Sequence, residues 1–411
     1  MNLLIPLLGI VVFMGIAILV SIDRRRIKAR TVFAALGLQV VIGAVVLFVP
    51  AGKAFVESAT ALLLTTVGYS QAGMDFIFGK LSIDTPALGY IFAFRVLPVL
   101  IFFSSLVAVL YHLQVIQPVI KVVGWALQKL LGTSQAESSS AAANIFVGGT
   151  EVYLLMRPYT LKMTDSELFA LMVGCSASMN AALVVTYAHM GVNATYLIAA
   201  IFMSAPAGLL ISKLMFPENQ TPETIDTHID YEEDHPVNVI DAATRGSISG
   251  AHMAATIGVM LLALISLIAM ANGLLGWLGA MFGVSNLSAE MMLGYVMAPV
   301  SFLLGIPWKE CLGAGALLGT KLVLNEFVAY IGFSRQMAMM SAHSQVVMTI
   351  ALAGFANLAT PASLLGVLGV IVPERRALIV KVALRVILAG TLANLVSAAI
   401  ASFLLTLADI M

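Results

Sequence analysis

Runs of about twenty apolar residues recur along this chain, and each is long enough to cross a bilayer as one helix. They fall near residues 2–22, 31–50, 88–111, 167–189, 194–216, 250–274, 346–370 and 378–408. With 60% of its 411 residues hydrophobic and 10% charged, the chain is far greasier than a soluble domain, which is about half apolar and a quarter charged. The expectation is an all-α polytopic membrane protein of eight spans. A formal net charge of zero leaves no basic field to attract nucleic acid. Cys175 and Cys311 are the two cysteines and lie far apart, which argues against a metal cluster and against a structural disulfide. No GxxxxGK[ST], HExxH or CxxC occurs, so ATP drive and zinc hydrolysis have no support. The first run has no basic residue before it and the block DRRRIKAR after it. That charge order suits an uncleaved span with its N-terminus outside.

Two stretches fit poorly as simple spans. Residues 133–158 contain NIFVGGTEVYLLMRPY and residues 303–330 contain GTKLVLNEFVAY. Both are broken by glycine and both hold a central carboxylate. Irregular backbone at membrane depth is tolerated only when buried in protein or lining a cavity, and a re-entrant hairpin meets that condition. With two hairpins, Arg24, Arg25, Arg26, Lys28, Arg30, Lys121, Lys129, Arg157, Lys162, Arg375 and Arg376 all fall on one side, as the positive-inside rule requires. The first hairpin then opens from inside and the second from outside, and both termini lie outside. Each hairpin precedes a span interrupted by small polar residues, CSASMNAAL in one half and GFANLATPAS in the other. An inverted repeat of hairpin plus broken helix is the architecture of a secondary transporter. Residues 54–80 read as interfacial helices, and residues 217–246, with eight acidic side chains, as a solvated loop.

Glu151 and Glu326 are the residues most in need of a reason. A charge near the bilayer centre costs several kcal/mol on most scales and faces a cavity or a partner. The bland alternative is a structural pairing with Lys321 or Arg157. Asn357 and Thr360 are either helix-to-helix glue or, beside Glu326, a polar cluster fit for hydroxyl recognition. Asn144 and Ser178 offer neutral oxygens near helix breaks. From spacing alone they are either the same glue or ligands for Na⁺.

The ordered set GGTE, LLMRPY, SELFALM, TKLVLNEFVAY and GFANLATPASL resembles the concentrative nucleoside transporter family over nearly the whole chain. A bare GxTE is weak; the full set in order is specific. The resemblance implies a homotrimer in the bacterial inner membrane, each protomer importing nucleosides by an elevator movement of a transport part against a scaffold. On that pattern residues 1–111 are mainly scaffold with interfacial helices, and 112–216 are the first transport half. The acidic loop at 217–246 follows, then a scaffold helix and connecting helix at 247–300, and the second transport half at 301–411. It implies a base side of the nucleoside site at Gly149, Thr150, Glu151, Leu183 and Phe355, and a ribose side at Glu326, Asn357 and Thr360. It implies a Na⁺ site from Asn144 and Ser178 with the carbonyls of Val147 and Met179. Proton-coupled relatives tend to lack that asparagine, which favours Na⁺/nucleoside symport over an H⁺-coupled symporter, and both over a nucleoside-gated channel or sensor. No bond is broken, so no enzyme activity and no cofactor besides the coupling ion are expected. Two positions depart from the pattern. Gly149 stands where the family usually has glutamine, with Asn180 a possible substitute for the missing amide, and Thr360 replaces a serine.

Overall fold

The computed structural model describes residues 3–83, 91–224, 236–283 and 287–410, and within them every regular element is a helix. The first part contains α1 (Leu4–Leu19), α2 (Ala29–Phe48), α3 (Pro50–Gly68), α4 (Ser70–Phe78), α5 (Phe92–Arg95), α6 (Leu97–His112) and α7 (Ile116–Leu131). Hairpin one follows as α8 (Gln135–Phe146) and α9 (Gly149–Thr160), then the first broken helix as α10 (Asp165–Ala177) and α11 (Ala181–His189), then α12 (Ala194–Met215). The second part opens with α13 (Val239–Met281) and α14 (Ala289–Leu303). Hairpin two is α15 (Trp308–Val323) and α16 (Glu326–Gln336). The second broken helix is α17 (Ala342–Leu352), α18 (Thr360–Gly366) and α19 (Leu368–Ile371), and α20 (Arg376–Ala408) closes the chain. Of the loop expected at 217–246, residues 225–235, with His228 and His235, lie outside the described residues, and 239–246 form the start of α13 rather than loop.

The all-helical, two-hairpin architecture expected from the sequence is present, with differences of length that have physical causes. Among the described residues five stretches are long and apolar enough to span on their own: Ala29–Phe48, Phe92–His112, Ala194–Met215, Val239–Met281 and Pro373–Ala408. Of the other three expected spans, α1 has only 16 residues, and those at 167–189 and 346–370 are interrupted at 178–180 and 353–359. The span expected at 250–274 is the middle of α13, whose 43 residues reach about 65 Å at 1.5 Å each, roughly twice the hydrocarbon thickness. The second hairpin begins later than expected, because the chain turns through 117° between α14 and α15.

Local sequence explains the breaks. Ser134 and Glu137 form a capping box that starts α8, and Thr164 and Glu167 form another that starts α10; each satisfies the free N–H groups of a helix start. Val147 and Gly148 are both extended and make the tip of hairpin one. In hairpin two the Asn325 Oδ1 accepts from Val328 N at 2.9 Å and caps α16. Pro361 lies in the first turn of α18, where its missing N–H costs nothing.

α12 and α20 are buried along most of their length, whereas α13 is mostly exposed and α6 mostly half-buried. α1, α2, α10 and α17 pack on that central pair. α6 and α13 pack mainly on each other, at close range: a Cβ on Gly246 would stand 2.6 Å from Ser104 O, and one on Gly250 2.7 Å from Leu100 O. Small residues allow helices to approach this closely in a membrane.

The two broken helices meet at one side chain of α20. Asn394 Nδ2 donates to Ala177 O at 2.6 Å and to Ala353 O at 2.7 Å. These carbonyls lie where α10 and α17 end. Asn394 Oδ1 accepts from Lys321 Nζ at 2.8 Å, and the same ammonium donates to Ala351 O at 2.9 Å. Backbone at Gly354 runs so close that a Cβ there would stand 2.3 Å from Asn394 Oδ1. Asn394→Leu keeps the volume but strands two carbonyls and takes one of the two acceptors from the Lys321 ammonium. An unsatisfied buried group costs about 1–3 kcal/mol, so the expected outcome is a clear fall in the thermal unfolding midpoint of the detergent-purified protein. An unchanged midpoint would remove Asn394 from this role.

Candidate functional site

Both conspicuous carboxylates stand in the first turn of a hairpin's second limb, Glu151 in α9 and Glu326 in α16. The positive end of a helix dipole lies there and favours an anion. The tip of hairpin one closes around glycine. A Cβ on Gly148 would stand 2.5 Å from Glu151 Oε2 and 2.8 Å from Asn180 Nδ2, so a larger residue there would displace the ends of both side chains. Glu151 Oε2 is buried with no hydrogen-bond partner among the described residues. The pairing of Glu326 with Lys321 raised by the sequence gives way to a different arrangement: Lys321 points to Ala351 O and Asn394. The partner of Glu326 is Asn357, whose Nδ2 donates to Glu326 Oε2 at 3.3 Å.

Asn357 is itself held by its neighbours. Its Oδ1 accepts from Ala359 N at 2.9 Å, and its N–H donates to Thr360 Oγ1 at 3.0 Å. The Thr360 hydroxyl donates in turn to Phe355 O at 2.8 Å. The non-helical stretch between α17 and α18 is therefore folded by its own polar side chains, as Asn and Thr do when helix geometry is lost.

A cavity of about 250 Å³ lies between these parts, and it is lined by Gly149, Glu151, Leu183, Glu326, Phe355, Asn357 and Thr360. All but one of the predicted nucleoside contacts thus face one space; the exception, the Thr150 side chain, is outside the described residues. A second cavity of about 440 Å³ adjoins it and shares Gly148, Glu151 and Asn180 with the first. The predicted ion ligands form a separate buried group beside the tip. Val147 and Ser178 are the extended residues that end α8 and α10. Ser178 Oγ lies 3.1 Å from Asn144 O and 3.5 Å from Met179 O. Asn144 Nδ2 donates to Ser140 O at 3.0 Å, which leaves Asn144 Oδ1 buried and without a partner among the described residues. Neutral oxygens gathered this way suit a small hard cation.

Three groups of lining residues were not singled out from the sequence as site residues. Cys175 borders the cavity with its thiol in hydrogen-bonding reach of Asn144 and Tyr153. Asn325 lines it as well as capping α16. Met253, Ile257 and Met260 of α13 form the opposite wall. Their helical spacing was legible, but it reads as ordinary apolar packing, and only the meeting of α13 with the hairpins gives those side chains a site.

Three family models together span most of the chain. They are described as Na⁺ dependent nucleoside transporter N-terminus (residues 8–81), nucleoside recognition (93–193) and Na⁺ dependent nucleoside transporter C-terminus (196–402). The chain belongs to the concentrative nucleoside transporter family. This transporter is 41% identical to the nucleoside permease NupC of Helicobacter pylori, with 98% of each chain covered. It is 35% identical to the mouse sodium/nucleoside cotransporter 1, over 98% of this chain and 64% of the mouse protein. Its fold matches that of CNTnw in an inward-facing substrate-bound state, with a TM-score of 0.94, 44% identity and 99% of both chains covered. Homologues of this kind move nucleosides and are not enzymes.

For a nucleoside transporter, the departure at Gly149 has a structural counterpart. A Cβ at 149 would stand 3.0 Å from the Cys175 Cβ and 3.3 Å from its carbonyl oxygen, so glycine at 149 and the Cβ of Cys175 fill one space between them. Gly149→Gln alone is expected to lose most uptake. Gly149→Gln with Cys175→Gly is expected to recover it with a changed ranking of uridine against adenosine. Competition uptake in proteoliposomes reads both, and full activity of the single variant would show that the two positions do not share space.

Proposed function

We propose that the chain is a Na⁺/nucleoside symporter that imports nucleosides across the bacterial inner membrane by alternating access. The observation that carries this reading is the cavity at the hairpin tips, into which each half of the repeat brings one carboxylate, Glu151 half-buried and Glu326 buried. On the base side, Gly149, Thr150 and Glu151 from hairpin one meet Leu183 and Phe355. On the ribose side, Glu326 accepts from sugar hydroxyls while Asn357 and Thr360 hold it in place. A carboxylate that only accepts suits hydroxyl and N–H donors, and neither bond-making nor a cofactor is needed.

Na⁺ is assigned to Asn144, Val147, Ser178 and Met179. The orphaned Asn144 oxygen supports this, as does the coupling named for the mouse relative. An ion bound there ties the end of α8 to the end of α10, next to the tip that carries Glu151. Na⁺ and nucleoside then favour the same closed tip, so each raises the affinity of the other.

The movement is read as an elevator, supported by the equally close likeness, a TM-score of 0.94, to CNTnw in inward-facing and outward-facing states. We assign α6 and α13 to the static frame, because they pack mainly on each other. Hairpins, broken helices, α12 and α20 form the moving body, and residues 1–111, with α1 and α2, are read as mainly static scaffold. The protein is read as a homotrimer with each protomer carrying its own cavity, and with both termini on the periplasmic side.

Uptake of radiolabelled uridine and adenosine into proteoliposomes tests the reading. Accumulation is expected under an imposed Na⁺ gradient and not under an H⁺ gradient alone. Accumulation driven only by H⁺ would return Asn144 and Ser178 to structural hydrogen bonding. Glu326→Gln is expected to lower uptake of both nucleosides by about 10–100-fold, the worth of a charge-assisted hydrogen bond at about 1.5–3 kcal/mol. Loss confined to one base would contradict the ribose assignment.

A further inference from the structure

The two hairpins can be laid on one another residue by residue around their tips. α8 ends at Phe146 and α15 at Val323; two extended or irregular residues follow each, Val147 and Gly148 or Leu324 and Asn325, before α9 starts at Gly149 and α16 at Glu326. In this register Asn144 of hairpin one and Lys321 of hairpin two occupy the same place, two residues before the end of the first limb. Both are buried. Each lies beside the frayed end of the broken helix of its own half. The Asn144 carbonyl accepts from Ser178, the residue that ends α10. The Lys321 ammonium donates to Ala351 O in the last turn of α17.

The chemistry at the two places is complementary. Half one presents oxygens, with Asn144 Oδ1 unpartnered among the described residues. Half two presents a positive charge on a flexible stem, surrounded by the Ala351 carbonyl and the Asn394 side-chain oxygen. Oxygen atoms that point at one centre from a helix C-terminus form a cation site, because the dipole there carries about half a negative charge. In half one that centre needs an ion from solution. In half two the chain supplies it.

We infer that Lys321 is a resident cation, covalently tethered at the position of the repeat that in half one takes the exchangeable coupling ion. Hairpin two is thereby held to α17 and α20 at every stage of the cycle. Hairpin one is held to α10 only when the ion is bound. The coupling ion therefore conditions the base side of the cavity and not the ribose side. The inference rests on the Na⁺ reading for half one, whereas the tether in half two stands on Lys321 and its own partners.

The test uses the full-length protein and three variants: Lys321→Asn, which installs the residue of half one; Lys321→Met, which keeps the stem and removes the charge; and Asn144→Lys, the reverse exchange. The thermal unfolding midpoint in detergent and uridine uptake in proteoliposomes are followed against Na⁺, with choline as the balancing cation. For the unaltered protein the expected Na⁺ dependence is hyperbolic, with a Hill coefficient of about 1. Lys321→Asn is expected to unfold at a lower temperature in choline, to recover in Na⁺, and to show a steeper Na⁺ dependence of uptake, with a coefficient rising towards about 2. Lys321→Met is expected to lose stability without recovering in Na⁺. Asn144→Lys is expected to have a midpoint indifferent to Na⁺. Normal uptake and stability in Lys321→Met would overturn the inference, as would an unchanged Na⁺ dependence in Lys321→Asn. Should neither Lys321 variant fold, a midpoint of Asn144→Lys that still rises with Na⁺ would overturn it. A midpoint and uptake of the unaltered protein that ignore Na⁺ would defeat the coupling reading alone. The tether would then be judged on whether Lys321→Asn acquires a requirement for a small monovalent cation that choline cannot meet.

Discussion

Backbone polar groups freed in the middle of a membrane must find partners, and the whole architecture depends on how this chain supplies them. Breaking a helix at membrane depth exposes carbonyls that lipid cannot satisfy. Here α10 and α17 break in the same region, and one side chain of α20, Asn394, donates to a carbonyl at the end of each. Lys321 completes the arrangement by donating to Asn394 and to Ala351 O. With the breaks stabilised in this way, the small polar residues beside them are free to face a solute.

The carboxylates follow from the same constraint. A glutamate at the bilayer centre is costly in isolation. Both glutamates here begin a helix, where the dipole offsets part of that cost, and both border a cavity rather than lipid. The two halves of the cavity differ in how they are ordered. Around Glu326 the chain provides its own network through Asn357, Thr360 and Phe355. Around Glu151, among the described residues, it leaves oxygens without partners, on Glu151 itself and on Asn144. That asymmetry within a symmetric fold fits a carrier in which one half of the site is prepared and the other waits for its ligands.

The α13 wall of the cavity contributes through shape more than polarity. α13 presents Met253, Ile257 and Met260 to the cavity, and Met260 Sδ lies 3.8 Å from Asn325 Nδ2 on hairpin two. Weak contacts of this kind between two bodies can be exchanged for others as one slides past the other, which well-made ion pairs would resist.

Much of this was legible in the residues. Apolar runs announce spans because hydrocarbon tolerates little else. The capping boxes at Ser134 and Thr164, Gly148 at the tip of hairpin one and Pro361 at the start of α18 mark helix ends. A carboxylate inside an apolar stretch marks a cavity by its cost alone, and Glu151 and Glu326 were found on that ground. What the sequence could not decide was which distant groups answer one another. Lys321 reads as a counter-ion for Glu326, five residues away, yet its ammonium is taken by Asn394, 73 residues on. Asn394 itself sits inside a long apolar helix and gives no local sign of its task. Cys175 shares a space with Gly149 only because α10 lies against the hairpin tip. Local sequence determines where helices start, stop and must avoid lipid, since those are properties of neighbouring residues. Pairings across the bundle are decided only when packing brings separate helices within hydrogen-bond range, and on those pairings the site is built.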